Sequence, residues 1–291
     1  MKLQIQPMSQ LIGSALVLAA TVLGQTANAL PLPTLANTRE IPANFTTNYD
    51  FEGIVALSNC SGSVIRFEKS LDTDQAIVLT NGHCLETGFP KPGQVITHQP
   101  SSRTFRLMQS DSGVVARLHA TEVIYSSMTK TDITMYRIKE TYADIMKNNK
   151  VRPFTLVSTH PEVGQAMQVV SGYWSRGYSC QIEAFVPHIK EAGWLWDDSI
   201  RYSRPGCEVI GGTSGSPIVE TGTRDVIGIN NTGNMSGELC TEDNPCEEDA
   251  NGANPVAHEG YSYGEQTYQI YTCLDAKNQI DLTLAGCLLA K

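Results

Sequence analysis

The sequence predicts an all-β protein, on two observations. From Phe51 onward, short runs rich in β-branched and aromatic residues alternate with polar turns, at the spacing of an antiparallel sandwich or barrel. No stretch shows helical periodicity long enough to build a βαβ sheet. In the first half the runs lie at 53–57, 63–67, 75–79, 94–97, 114–120 and 133–138, and a helical turn is expected at 142–149, near the junction between halves. The second half repeats the style at 166–170, 179–186, 216–220 and 226–230.

The start of the chain reads as an export signal. Lys2 precedes an apolar run from Leu11 to Leu23, and Ala27-Asn28-Ala29 is a small-x-small cleavage site. The run is short of the roughly 20 residues needed to span a bilayer, so residues 1–29 are expected to be removed and the mature protein to be secreted or periplasmic, without a membrane partner. Residues 30–49, rich in Pro, Thr and Asn, read as a flexible lead or short pro-segment. With 21 basic and 30 acidic residues and a formal net charge of −9, nucleic acid and anionic membranes are excluded as primary partners.

All eight cysteines follow the signal, and an even count in an exported chain reads as disulfides. Nearness in sequence suggests Cys180–Cys207, Cys240–Cys246 and Cys273–Cys287. No Cys-x₂-Cys or His-x₃-His pair suggests zinc. The acidic, turn-forming stretch within about 235–260 has a fragment, Asp249-Ala250-Asn251-Gly252, that hints at calcium. No full EF-hand loop follows, and a disulfide-pinned surface loop is the favoured reading of 242–252. No cofactor and no metal are expected.

The chemistry concentrates in three segments. Gly211-Gly212-Thr213-Ser214-Gly215-Ser216-Pro217 places a serine on a flexible turn just ahead of an apolar strand, where backbone N–H groups can converge on one point. His83 follows the run 76–79 in Asn81-Gly82-His83-Cys84, and Asp132 opens another run in Thr131-Asp132-Ile133. A serine hydroxyl is a poor nucleophile without a base, and a histidine base needs an acid to orient it. His83, Asp132 and Ser214 supply these roles at the edges of β segments. An α/β-hydrolase elbow is excluded because position 216 is serine rather than glycine and both partners precede the nucleophile. Ser-x-x-Lys chemistry fails at Pro217.

These segments resemble the trypsin/chymotrypsin-like serine peptidase family, particularly its bacterial secreted branch. Cys60-Ser61-Gly62-Ser63-Val64-Ile65 looks like the strand before the family's histidine, Val151-Arg152-Pro153-Phe154 through Val169-Val170-Ser171-Gly172-Tyr173 like its passage between barrels, and Val226-Ile227-Gly228-Ile229 like the strand after the nucleophile. The likeness runs from about residue 50 to 233. It implies two packed six-stranded antiparallel β-barrels, 50–150 and 151–291, with the active site between them and the acidic segment inserted in the second. It also implies a Cys60–Cys84 disulfide and an oxyanion hole formed by the backbone N–H groups of Gly212 and Ser214. A side chain at 212 is expected to crowd the substrate carbonyl. Asn231, Thr232 and Gly233 match the edge that pairs with substrate backbone, and Glu208, six residues before Ser214, matches the position that binds a basic side chain.

The sequence departs from the family at two places. Animal-type trypsins hold an aspartate just before the nucleophile, where a newly cut amine pairs with it. Here the residue is Thr213, and no basic residue directly precedes Gly53-Ile54, so that activation switch is expected to be absent. Cys207 lies seven residues before Ser214 rather than four, which shifts the loop bearing Glu208. The function expected is a monomeric, secreted serine endopeptidase acting on polypeptides, with a preference for a basic residue before the cut. The alternatives are an inactive binding protein on the same fold and, resting on the acidic loop, a calcium-dependent adhesion module.

Overall fold

The computed structural model describes residues 49–291. The expected signal peptide (1–29) and all but the last residue of the expected lead (30–49) lie outside them. The first half contributes β1 (Ile54–Ala56), β2 (Ser61–Phe67), β3 (Gln75–Thr80), β4 (Val95–Pro100), β5 (Thr104–Met108), β6 (Val114–Ser127) and β7 (Ile133–Thr141). Hydrogen bonds run from β1 to β5, β6, β7, β3, β2 and back to β1, closing a six-stranded antiparallel barrel, with β4 added along β6. Helix α1 (Tyr142–Asn149) and β8 (Phe154–Leu156) lead out of it. The helix starts at a capping box in which the Thr141 hydroxyl accepts from Asp144 N and the Asp144 carboxylate accepts from Thr141 N. It ends at Lys150 in the left-handed conformation, φ 58°.

The second half contributes β9 (Ala166–Ser171), β10 (Arg176–Glu191), β11 (Trp194–Tyr202), β12 (Pro217–Glu220), β13 (Asp225–Gly233), β14 (Cys246–Glu248), β15 (Val256–Ala257) and β16 (Ser262–Gln266). Here β13, β12, β9, β10, β11 and β16 close a second six-stranded barrel through the β13–β16 pairing. Strand β8 runs parallel to both β2 and β13 and joins the barrels into one continuous sheet.

Several strands read as unbroken apolar runs because both their faces are buried, one in a barrel and one at the seam. Val64 and Val78 point into the first barrel, while their neighbours Ile65, Ile77 and Leu79 join the core between barrels. Val169 and Ile227 fill the second barrel, while Val170 and Val226 face the seam. A period of two thus feeds two cores from one strand. The segment after β16, including a 3₁₀ helix (Tyr268–Cys273), returns to the first barrel: the Tyr271 hydroxyl accepts from Glu68 N, and Ile270, Cys273 and Leu289 complete the seam core.

All four disulfides form: Cys60–Cys84, Cys180–Cys207, Cys240–Cys246 and Cys273–Cys287. The β10–β11 hairpin outgrows its barrel, pairing from Ile182↔Tyr202 to Glu191↔Trp194. Its tip reaches the first barrel, where Trp196 Nε1 donates to Met128 O and Trp194 Nε1 to Pro90 O. Strand β14 lies along β10, and Ala192 N donates to Cys240 O, so the acidic insertion rides on this hairpin. Among the described residues no helix is long and apolar enough to cross a membrane.

Candidate active site

His83 sits in the tight turn that follows β3, where Cys84 N donates to Asn81 O and Leu85 N to Gly82 O. Asp132 directly precedes β7 and is fully buried. The imidazole Nδ1 lies 2.7 Å from Asp132 Oδ2, and His83 N donates to Oδ1 at 3.0 Å. Asn81 Nδ2 holds the Asp132 carbonyl at 2.7 Å. Gly82 is required by this approach: a Cβ there would lie 2.8 Å from Asp132 Oδ1 and 2.3 Å from Ser127 O. Burial pushes the His83 pKa down, but the charge and hydrogen bond of Asp132 outweigh it, with Glu191 and Asp243 adding to the pull, and the net shift is upward.

A carboxylate beside a histidine is not diagnostic here, because all six histidines have one within 4.0 Å. What separates His83 is a fully buried acid and a ring that opens, with Ser214, on a cleft of about 380 Å³. The Cys60 and Cys84 sulfurs lie near the His83 ring but are bonded to each other, so they offer no thiolate to a metal.

Ser214 comes from the second barrel and lines the same cleft as His83. Its turn is fixed by Thr213 N→Ile210 O, Gly215 N→Asn230 O and Ser216 N→Thr213 O, and its carbonyl accepts from Ser61 N at 2.8 Å. The Ser214 hydroxyl donates to Asn231 O at 3.3 Å rather than to His83. Among the described residues the N–H groups of Gly212 and Ser214 have no hydrogen-bond partner. Gly212 is also needed by the fold itself: its φ is 86°, and a Cβ would lie 2.9 Å from the Tyr173 ring and 3.0 Å from Trp174 Nε1.

The orientation of this turn is held by neutral donors. Trp174 Nε1 donates to Gly211 O at 2.7 Å, and Ser61 Oγ donates to Gly212 O at 3.2 Å. In a planar trans peptide the C=O and N–H point opposite ways, so fixing Gly211 O toward Trp174 turns the Gly212 N–H to the other side. Ser61 Oγ is itself tied to Ser171 Oγ and Tyr173 N. Thr213 is buried without a charge partner, and Ile54 N donates to Phe51 O within an intact turn.

Asn231, Thr232 and Gly233 line the cleft with His83 and Ser214. Glu208 does not. Cys207 points inward to its disulfide and Val209 inward to the cleft, so Glu208 between them alternates outward. There its carboxylate accepts from Gly206 N and lies 3.6 Å from Arg204, with its side chain 45% exposed. The pocket role expected for Glu208 therefore finds no support in its position.

Residues that sequence reading passed over do reach the cleft. Glu191, at the hairpin tip, is buried beside it and accepts from the Thr232 hydroxyl and Asp243 N. Burial raises its pKa to about 7. Glu242, Asp243 and Met235 of the acidic insertion form one wall, and Phe89, Trp194 and Trp196 another. Three other acids of that insertion have partners of their own: Glu247 pairs with Arg201, Glu248 with Lys190, and Asp249 accepts from Asn251 N, Ala253 N and Asn254 Nδ2. Trp174 carried a signal in its sequence, an indole in the turn just past Ser171-Gly172. Glu191 carried none, because nothing local says that its hairpin crosses to the other barrel.

Two closed barrels meeting at a His–Asp pair and a serine on a glycine-rich turn define the class, a serine protease. Residues 60–229, well over half the chain, match the family described as the trypsin-like peptidase domain, and the chain belongs to that family. No curated protein sequence matches it. Among solved structures it is similar in fold to the MamO protease domain of Magnetospirillum magneticum, at 11% identity and TM-score 0.50 over 79% of this chain and all of that one. A protease of M. tuberculosis in its active form (15% identity, TM-score 0.48, covering 92% and 100%) and mouse neuropsin, a serine protease (15%, 0.46, 78% and 94%), also match.

Proposed function

We propose that the protein is an exported serine endopeptidase that cleaves polypeptides through an acyl-enzyme, without a cofactor. The observation that carries this reading is the His83–Asp132 pair at 2.7 Å opening on the same cleft as Ser214, with two uncommitted N–H groups beside that serine. Attack requires the Ser214 hydroxyl to leave Asn231 O and donate to the free ring nitrogen of His83, a contact that commonly tightens only when substrate binds. His83 takes that proton and returns it to the departing amine, Asp132 stabilises the imidazolium, and the N–H groups of Gly212 and Ser214 receive the oxyanion. Four disulfides among the described residues support an oxidising, non-cytoplasmic location.

A preference for a basic residue before the cut is kept in this reading, on different residues. Glu242 and Asp243 supply negative charge along the cleft that Glu208 does not. Digestion of a peptide library with wild type and Ser214→Ala, followed by sequencing of the fragments, tests both parts. Fragments ending in Lys or Arg from wild type alone are expected. Equal cleavage by both proteins removes the proposed mechanism, and fragments without a basic end remove the specificity. A catalytically inactive binding protein would yield no fragments at all.

A further inference from the structure

A second, open cavity lies on the first barrel, lined by Ala56–Ser58, Glu86, Arg103, Thr104, Arg106, Arg117 and Tyr173. It adjoins the catalytic cleft through the oxyanion turn, because the Tyr173 ring that lines it also packs against Gly212. None of the residues of the Asn231–Thr232–Gly233 edge borders it. A chain laid along that edge and crossing Ser214 would leave the first cleft on the side of this one.

The arginines are the unusual feature. Arg106 on β5 and Arg117 on β6 are directly opposite each other in the antiparallel register, so their side chains share one face of the barrel. Both are exposed, and among the described residues neither has a carboxylate within 4.0 Å. Like charges set opposite each other across a ladder destabilise the sheet, and this chain has acids in excess with which to neutralise them. The acids close by are engaged elsewhere: Glu86 accepts from Ser101 and Tyr136 and lies 3.6 Å from Arg103, and Glu140 is beside His119. Arg103 is nearly buried and donates to Cys84 O and Asn59, so it braces the disulfide next to His83. Arg106 and Arg117 brace nothing and leave the cavity with two uncompensated positive charges.

We propose that Arg106 and Arg117 form a binding shelf for acidic side chains in the part of a polypeptide substrate that follows the scissile bond. The assignment rests on the peptidase reading for its direction along the substrate. The guanidinium pair suits carboxylates, which it engages through forked N–H donors. Together with the acidic wall of the catalytic cleft, the shelf selects a substrate that is basic before the cut and acidic after it.

The test separates binding from turnover. Fluorescein-labelled peptides share one sequence up to a single Lys and differ after it, carrying either Glu or Gln at the four following positions. Their affinity is measured for the Ser214→Ala protein at low salt. The Glu peptide is expected to bind about tenfold more tightly. That ratio should fall to about one in Ser214→Ala carrying Arg106→Gln and Arg117→Gln, collapse likewise in about 0.5 M salt, where charges are screened within a few ångströms, and largely return with Arg106→Lys and Arg117→Lys. Equal affinity for the two peptides, no binding of either, or a ratio that survives the Gln substitutions overturns the shelf. Wild-type protein that leaves both peptides uncut, while the affinity ratio holds, overturns the peptidase reading instead.

Discussion

Trp174 shows how much one side chain can decide at this site. Animal-type trypsins order the oxyanion turn with an ion pair at the position occupied here by Thr213. This chain instead pins the carbonyls of Gly211 and Gly212 with the Trp174 indole and the Ser61 hydroxyl. Losing an oxyanion donor outright costs about 10²–10³ in turnover. Trp174 acts through the peptide it holds, so Trp174→Phe, which keeps the ring and removes the N–H, should lower kcat roughly tenfold, with KM little changed. The carbonyl stretch of a trapped acyl-enzyme should move to higher frequency as the donor loosens. Unchanged kcat and stretch would show that the turn holds itself. The triad residues were legible because each sits in a short motif with its own turn chemistry. Glu208 was misleading for a local reason too: burial alternates across Cys207, Glu208 and Val209, and the loop shift that sets this phase is encoded in the remote Cys180–Cys207 bond.

At the scale of elements, the strands plainest in the sequence include those buried on both faces, such as β3 and β13, whose apolar runs are unbroken. Helix α1 was legible from its position between turns. Strand β11 was not, because in Trp194-Leu195-Trp196-Asp197-Asp198 the two indoles reach to the other barrel, Leu195 is exposed and both acids are half-buried, so no apolar alternation shows. The acidic insertion was expected to be a solvated loop. The structure places it on β10, where Glu242 and Asp243 become cleft wall. The β1 entry carries a prediction of its own. Ile54 N is bonded to Phe51 O inside an uncut turn, and no acid waits for it at Thr213. Proteins beginning at Leu30 and at Asn44 should therefore hydrolyse a common peptide at similar rates. Activity confined to one form with a free, buried amine at Ile54 would contradict this account of the turn.

The whole molecule divides its chemistry between two barrels, and the seam that joins them buries ionisable groups. Glu265 is fully buried behind Asn231, accepts from Asn231 Nδ2 and Ser199 Oγ, and is pushed up to about 8, first by burial. Glu191 stands at about 7. An acid that holds its proton in the folded chain after the unfolded chain has lost it makes stability fall as pH rises from about 4.5 to its folded value. His83, raised above 6.5, contributes stability below that value and loses it as pH climbs through its folded pKa, in the same direction. Glu52 and Glu86 are lowered, despite burial, by hydrogen bonds and nearby arginines, and they favour the folded chain above about 4.5. Melting temperature should therefore be highest near pH 5 and decline toward pH 8.5, and Glu265→Gln should flatten the decline. A wild-type melting temperature that rises over that interval would contradict these protonation states.

The central claim is that Ser214 is a nucleophile activated by His83 at the junction of the two barrels. An aryl organophosphonate reports this directly, because an activated serine displaces its leaving group and retains the phosphonyl group, which adds a fixed mass to one peptide. The account predicts stoichiometric label on the peptide containing Ser214 in wild type, none in Ser214→Ala, and labelling slowed by orders of magnitude in His83→Ala. Label on another residue, or equal labelling of wild type and Ser214→Ala, would contradict it.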